Sequence, residues 1–309
     1  MSWAEVKHAL NSTLGTEDFQ SLDKLFSTRL AEFESIKNKK YIWDTSGTYY
    51  LTVPDGIYKI YVTACAGGGG GGGRFGDTDD NTRIGGSGGG GGMAIMNHPV
   101  IVTAGEQLSI IVGRGGTAGR SSGSSISSVT SGGDGESTAL TRENDSFSSP
   151  TISLAGGKGG TFAQVAGGYE SNGGAAGGVG GGAGGDGRNY NGSTNIYAKN
   201  GSDGLIGKGG EADQNYYGGG GGSLGNGGGG SDSSSYYPKI NPTYGGGGGG
   251  GGPINSYGQV RNAQEGADGY MLISFVEITE ADIVPASSVT SYTETELMSA
   301  YREGVESIG

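Results

Sequence analysis

Residues 41–73 read YIWDTSGTYYLTVPDGIYKIYVTACAGGGGGGG, an alternating pattern that runs directly into seven consecutive glycines. The alternation predicts a strand at the start, turns at 44–47 and 54–56, and further strands at 48–53 and 57–65. Pure glycine does not build an ordinary helix or strand, because glycine loses more backbone freedom on folding than any other residue. A β domain therefore leads here into a different kind of structure.

Glycine runs of this kind recur along the chain. One interpretation is a flexible linker or a disordered tract. The other is an array of extended helices with three residues per turn, of the polyproline-II type, which satisfy one another's backbone groups side by side. We expect the array, because the runs are nearly pure and alternate with segments that carry Tyr, Ile, Leu and Val. The runs are 67–73, 85–92, 156–160, 173–187, 218–222, 227–230 and 245–252.

Composition limits what the chain can do. It has 309 residues, of which 72 are Gly and 32% are hydrophobic, and its net charge is −12. The single cysteine, Cys65, excludes an internal disulfide, and with only two histidines we expect no metal site and no cofactor. The acidic balance argues against nucleic acid as a partner. Without an apolar run of about 18 residues, membrane insertion is not expected either.

Further strands are predicted on both sides of the glycine runs, and the last of them has the continuous apolar character of a buried strand. We expect these strands to form one β-sandwich over residues 41–277, with the glycine helices as its connections. The fold class is thus mainly β. The further strands lie at 100–103, 107–112, 137–140, 151–154 and 270–276.

The two ends of the chain differ from this middle part. Residues 1–40 contain almost no glycine and predict a helical arm for attachment or oligomerisation, whose apolar seam is interrupted by Arg29. We expect this arm to meet a copy of itself, giving a trimer, or another protein; packing onto its own domain is the alternative. Residues 278–309 predict a linker and a short C-terminal helix. The seam residues are Phe19, Leu22, Phe26, Phe33 and Ile36.

The segments between the glycine runs are rich in Tyr, Asn and Ser, the composition of antibody paratopes. Tyrosine offers a large amphipathic contact area at low entropic cost. We expect these segments to form a receptor-binding face, although any one ring has the alternative of covering glycine backbone. The segments are 74–84, 161–172, 188–205, 211–217, 231–244 and 253–264, and the candidate binding residues are Tyr190, Tyr197, Tyr216, Tyr217, Tyr236, Tyr237 and Tyr244.

The order of these elements carries a family resemblance. YYLTVPDGIYKIYVTACAGGGGGGG, VIVTAGEQLSIIVGRGG, ISLAGGKGG and GADGYMLISF follow one another as in the glycine-rich domain of bacteriophage and prophage tail-fibre proteins. The layout is also similar to the glycine-rich domain of the anaplastic lymphoma kinase family of receptors, in which a jelly-roll sandwich carries glycine helices. That family also has cysteines and a membrane span that are not found here, which favours the phage resemblance.

The resemblance implies a tail-fibre receptor-binding protein that recognises a protein or glycan on the bacterial surface. It implies attachment to other tail or baseplate proteins, in a virion tail or tail-like particle assembled in the bacterial cytoplasm and released by lysis. The alternative is a structural tail-fibre or tip component without receptor binding. We expect no enzymatic activity, because no nucleophile lies beside a base. The alternative, an enzyme that degrades surface glycan, would require a cluster of carboxylates in a groove, for which Glu211, Asp213 and Asp232 are the plausible local group.

Overall fold

The computed structural model describes the middle of the chain, and most residues at the two ends lie outside the described part. The predicted C-terminal helix lies outside the described residues, and so does the predicted N-terminal arm except for a few positions. The described residues are 24, 27–28, 31, 36, 39–75, 85–122, 126–143, 145, 150–165, 168–170, 172–187, 189–190, 195–212, 218–229, 241–251, 263–280 and 283.

Two four-stranded antiparallel sheets form a β-sandwich, as the sequence predicts. One sheet has the strand order β1-β12-β3-β4 and the other β2-β5-β6-β7, and two short hairpins, β8–β9 and β10–β11, stand apart from them. The strands are β1 Lys40–Trp43, β2 Gly47–Thr52, β3 Lys59–Cys65, β4 Ala94–Ile101, β5 Gln107–Val112, β6 Thr138–Arg142, β7 Ile152–Leu154, β8 Ala163–Val165, β9 Gly168–Glu170, β10 Asn189–Tyr190, β11 Asn195–Ile196 and β12 Tyr270–Ser274.

The hydrophobic core lies between the two sheets and follows the two-residue period of the strands. Ile60 and Val62 of β3 share it with Leu108 and Ile110 of β5 and with Ile273 of β12, and all of them are fully buried. Burying side chains of this size contributes about 1.5–3 kcal/mol each. The sandwich is therefore a conventional apolar core in an otherwise glycine-rich chain.

Strand β12 is buried on both faces, which explains its continuous apolar sequence. Tyr270 and Leu272 point away from the sandwich core into a second cluster with Cys65 of β3. Leu224 from the glycine-rich part closes this cluster. Around Cys65, Tyr270 and Leu272 the outer face of the β1-β12-β3-β4 sheet thus packs against the glycine-rich part, whereas Lys59 at the other end of β3 is exposed.

Strand β4 begins at Ala94, six residues before the predicted start of the strand. The alternating pattern is broken in this strand, because Asn97 has a left-handed backbone with φ of 52° and lies where Met96 and Asn97 of β4 stand opposite the single residue Thr63 of β3. Pro99 is tolerated because β4 lies at the edge of its sheet. The Asn97 side chain donates to the Ile278 carbonyl (2.7 Å) and accepts from the Ile278 N–H (2.9 Å). The bend in β4 therefore fastens the chain after β12 to the sandwich.

The glycine runs form the predicted array. In 67–73, consecutive N–H groups donate to three different neighbouring segments and every third one returns to the same neighbour, as a helix with three residues per turn requires. Its carbonyls accept from three further segments, 116–119, 157–160 and 248–251. The N–H bonds run from Gly67, Gly70 and Gly73 to Glu136, Gly133 and Thr130, from Gly68 and Gly71 to Ala267 and Gln264, and from Gly69 and Gly72 to Gly90 and Ser87.

The purest runs are the interior helices of the array. Segments 67–73, 85–92, 218–222 and 245–251 are entirely buried. A Cβ atom on Gly70 would overlap the backbone carbonyl oxygen of the neighbouring Thr117. Only glycine lets the backbones approach this closely, and so the interior consists of backbone hydrogen bonds instead of side chains.

Mixed segments surround these interior helices, and segments that follow one another in the sequence lie side by side around them. Each needs glycine only where it faces inward, so other residues appear at every third position, as with the exposed Arg114, Thr117 and Arg120. The sequence interpretation missed several of these helices, and the three-residue spacing was the signal for them. The surrounding segments are 113–120, 130–136, 155–160, 172–177, 181–187, 198–204, 207–212, 225–229 and 263–269.

Candidate recognition face

The glycine array has two unlike ends. At one end it joins the sandwich: β3 leads from Cys65 into the array, and β4 and β12 begin where glycine segments finish. At the other end Gly73 donates to the Thr130 carbonyl (2.9 Å), and Gly251 donates to the Gly72 carbonyl (3.1 Å). We call this second end, formed by the last hydrogen-bonded layer before the loops, the far end of the array.

Most of the predicted recognition segments leave the array at its far end. Segment 74–84 follows Gly73, and segment 253–264 begins just after Gly251. The Thr161 N–H donates to the Asn172 carbonyl (2.9 Å), so the two ends of segment 161–172 lie next to each other. The segments that leave here are 74–84, 161–172, the first part of 188–205, 211–217 and 253–264.

Tyr244 lies at the other end of the array. Its ring centroid is 4.7 Å from that of Tyr270, and its side chain packs against the second core cluster. Its backbone has a positive φ of 33°. This ring thus packs at the join between array and sandwich, away from the far end.

The other candidate tyrosines divide between described and undescribed residues. Tyr197 directly follows β11, and its side chain is 56% exposed. Tyr190 is a residue of β10 and is paired with Asn195 of β11. The structure therefore brings two of the predicted tyrosines onto one hairpin at the far end. Those that lie outside the described residues are Tyr216, Tyr217, Tyr236 and Tyr237.

The two short hairpins stand next to each other. Strand β9 of the first lies beside strand β10 of the second. The first hairpin closes at Thr161 and Asn172, and the second closes where the Lys199 N–H donates to the Asp186 carbonyl (3.0 Å). Strands β8–β9 and β10–β11, which are separate in the sequence, thus lie side by side at the far end.

Aspartates fasten neighbouring segments of the array together, a feature that the sequence interpretation missed. In each case the Oδ1 atom accepts an N–H from another segment at 2.8–3.0 Å. The signal was a repeated Gly-x-Asp-Gly with a small residue at x. The pairs of aspartate and N–H donor are Asp134 and Gly159, Asp186 and Gly173, Asp203 and Gly209, and Asp268 and Gly115.

Two of these carboxylates also form ion pairs. Asp134 binds the Lys158 ammonium at 2.7 Å, and Asp186 binds the Lys199 ammonium at 2.9 Å. The hydrogen bond from Lys158 lowers the pKa of Asp134. Burial raises the pKa of Asp186, but the Gly173 N–H and the Lys199 ammonium outweigh it and the pKa is lowered. Both carboxylates are therefore ionised at neutral pH.

Of the predicted attachment residues only Ile36 is described, and its side chain packs against the sandwich core. Lys39, three residues later, donates its N–H to the Ile36 carbonyl (2.9 Å) and leads into β1. The last residue of the predicted seam therefore packs against the sandwich of its own chain. The seam residues outside the described part are Phe19, Leu22, Phe26 and Phe33.

The described residues contain no group of three or more His, Cys, Asp or Glu side chains placed to hold a metal ion. Cys65 is fully buried, and burial raises the pKa of its thiol to about 12. Glu211 lies within the described part, whereas Asp213 and Asp232 lie outside it. Within the same part, no helix is long and apolar enough to cross a membrane.

These features define a class of protein in which a β-sandwich carries a packed array of glycine helices. A family model described as a glycine-rich domain matches residues 44–276, and the chain belongs to this family. The match covers both the sandwich and the array. A search of curated proteins found no match.

Proposed function

We propose that this chain is the receptor-binding protein of a phage or phage-like tail fibre, and that it recognises a bacterial surface receptor through the loops at the far end of the array. The observation that carries the proposal is the opposed placement of loops and chain connections. Lys40 at the start of β1 pairs with Ser274 at the end of β12, so the chain enters and leaves the sandwich at the end opposite the array. Attachment and recognition would then occupy opposite ends of the molecule.

The rigidity of the array supports a binding role. Its segments are cross-linked in several directions by backbone hydrogen bonds and by the aspartates. A loop whose ends are fixed loses less conformational entropy on binding, so more of the contact energy appears as affinity. Tyrosine, asparagine and serine are suited to this role because they combine contact area with adaptable hydrogen bonds.

The mechanism would be binding without chemistry. The N-terminal arm would attach the protein to other tail or baseplate proteins, with trimer formation as one way of doing so. The sandwich and the array would hold the loops in place, and the loops would contact the receptor, whether protein or glycan. The likeness in element order to the tail-fibre glycine-rich domain supports this division of roles.

Binding of the labelled full-length protein to intact cells of candidate bacterial strains tests the proposal. We expect saturable binding to some strains and none to others. The label belongs at the N-terminus, because Cys65 is buried. Absence of binding to every strain that the parent particle adsorbs to would refute the adhesin role and favour a structural tip component.

A further inference from the structure

Asp186 connects the bases of the two hairpins at the far end. Its carboxylate accepts the Gly173 N–H (3.0 Å) through Oδ1 and the Lys199 ammonium (2.9 Å) through Oδ2. Gly173 directly follows Asn172, which closes the β8–β9 hairpin. Lys199 closes the β10–β11 hairpin through its own N–H. One side chain is thus bonded to the base of each hairpin.

The surroundings of Asp186 allow these bases little freedom. A Cβ on Gly173 would overlap the Gly184 carbonyl oxygen, and one on Gly185 would overlap the Lys199 carbonyl oxygen. The interior helix 218–222 also contacts the base of the β10–β11 hairpin, because the Gly219 N–H donates to the Lys199 carbonyl (3.1 Å). These backbone contacts hold each base against its neighbouring array segment, whereas the Asp186 side chain bonds to both bases.

The elements fixed in this way carry tyrosines from both hairpins. Tyr169 belongs to β9, Tyr190 to β10, and Tyr197 follows β11. Because β9 lies beside β10, the relative position of the hairpins sets the relative position of these three residues. Tyr169 was not among the residues singled out from the sequence.

From this arrangement we infer that the two hairpins form one recognition unit and that Asp186 is its positioning residue. The inference rests on the proposed function and narrows it to one part of the far end. Asp186 acts through the hairpins and does not itself need to touch the receptor. Without it each hairpin is held only by its own backbone contacts with the array, so the relative position of the two hairpins is less well fixed and binding weakens even though every tyrosine is still present.

Asp134 provides a matched control. It makes the same two kinds of bond, to the Lys158 ammonium (2.7 Å) and the Gly159 N–H (2.9 Å). It joins segments 130–136 and 155–160, and its donor Gly159 lies two residues before Thr161 at the base of the β8–β9 hairpin. Its two bonds therefore do not connect that hairpin to the β10–β11 hairpin. Substitutions at Asp134 and Asp186 remove equivalent interactions and differ in what those interactions hold.

The experiment compares Asp186→Ala, Asp186→Asn and Asp134→Ala with the unaltered full-length protein. Amide hydrogen exchange of residues 161–172 and 187–198 reports on the hairpins, and labelled protein on cells of a strain that the unaltered protein binds reports on recognition. For Asp186→Ala we expect about tenfold faster exchange in both hairpins and about tenfold weaker cell binding. Asp186→Asn retains an oxygen for the Gly173 N–H and should lie between. Asp134→Ala should alter exchange at most near Thr161 and should leave exchange of the β10–β11 hairpin and cell binding unchanged.

The possible outcomes distinguish failure of this inference from failure of the proposed function on which it rests. If Asp186→Ala leaves exchange unchanged or alters only one hairpin, Asp186 does not hold them together. If both hairpins exchange faster but cell binding equals that of Asp134→Ala, the hairpins are not the recognition unit. If the unaltered protein binds no strain, the proposed function fails, and the recognition part of the inference fails with it.

Discussion

Replacement of an interior glycine by alanine tests the packing of the array directly. In Gly70→Ala the new methyl group would overlap the Thr117 carbonyl oxygen, which belongs to backbone and cannot rotate away. Gly70 donates to Gly133 (2.9 Å) and accepts from Gly160 (2.9 Å), and Thr117 accepts from Gly133 (2.8 Å). Separating these helices weakens two or three hydrogen bonds at about 0.5–1.5 kcal/mol each and adds about 1–3 kcal/mol of overpacking strain. We expect a total loss of about 3–5 kcal/mol, a large part of the stability of an ordinary domain.

Urea unfolding followed by circular dichroism measures this loss. Thr117→Ala is the control, because it alters the same contact region but only an exposed side chain, and it should change the free energy of unfolding by less than about 0.5 kcal/mol. If Gly70→Ala is too unstable to purify while Thr117→Ala folds normally, the reasoning stands. A loss below about 1 kcal/mol for Gly70→Ala would refute it, because the helices would then have room for a side chain.

Three further predictions concern charged and buried groups. Ionised Asp134 stabilises the fold through Lys158, and its folded pKa lies below the ordinary value of 3.8, so this contribution is present above about pH 4 and is lost as the pH falls further. The difference in melting temperature between the unaltered protein and Asp134→Asn should therefore shrink between pH 5 and pH 2. A difference that stays constant over this range would contradict the prediction. Glu106 is buried and forms two hydrogen bonds, at 2.9 and 3.0 Å, with Arg142, so Glu106→Ala should cost about 2–3 kcal/mol in urea unfolding and Glu106→Gln less; equal losses would contradict this, because the neutral amide oxygen of Gln would then recover none of the interaction. The thiol of Cys65 should not react with a disulfide reagent at pH 8 until the protein is unfolded, because it is buried and its pKa is raised to about 12; rapid reaction of the folded protein would show that the second core cluster opens.

The sandwich could largely be predicted from the sequence because its strands follow simple periodic rules. The predicted strand at 107–112 coincides with β5, and the apolar run from Tyr270 became the fully buried β12. Strand β4 was mostly missed because Asn97 and Pro99 break the alternation. Such positions depend on the partner strand and on sheet order, which no local pattern contains.

The sequence was enough to predict that the glycine runs form an array of extended helices, but not which other segments belong to the array or how the segments are placed in it. Pure runs such as 67–73 were recognised, whereas 113–120 and 130–136 were not, because arginine, threonine and aspartate occupy their outward positions. The position of Tyr244 at the sandwich end could not be predicted either. It depends on how far segment 241–245 returns along the array, and the composition of the segment does not encode that distance.

The physical basis of the array predicts that the scaffold can accept changes in the sequence of the loops it carries. An apolar core couples its stability to the size and shape of many side chains, so changes in one element disturb others. The interior of the array instead depends on backbone hydrogen bonds and on the absence of side chains, as at Gly69 and Gly70. The bonds of Gly69 and Gly70 go to other segments of the array, at Gly90, Gly248, Gly133 and Gly160. The sequence of the loops should therefore be able to change with little cost to the scaffold, provided that the segment ends, such as Thr161 with Asn172 and Asp186 with Lys199, keep their bonds.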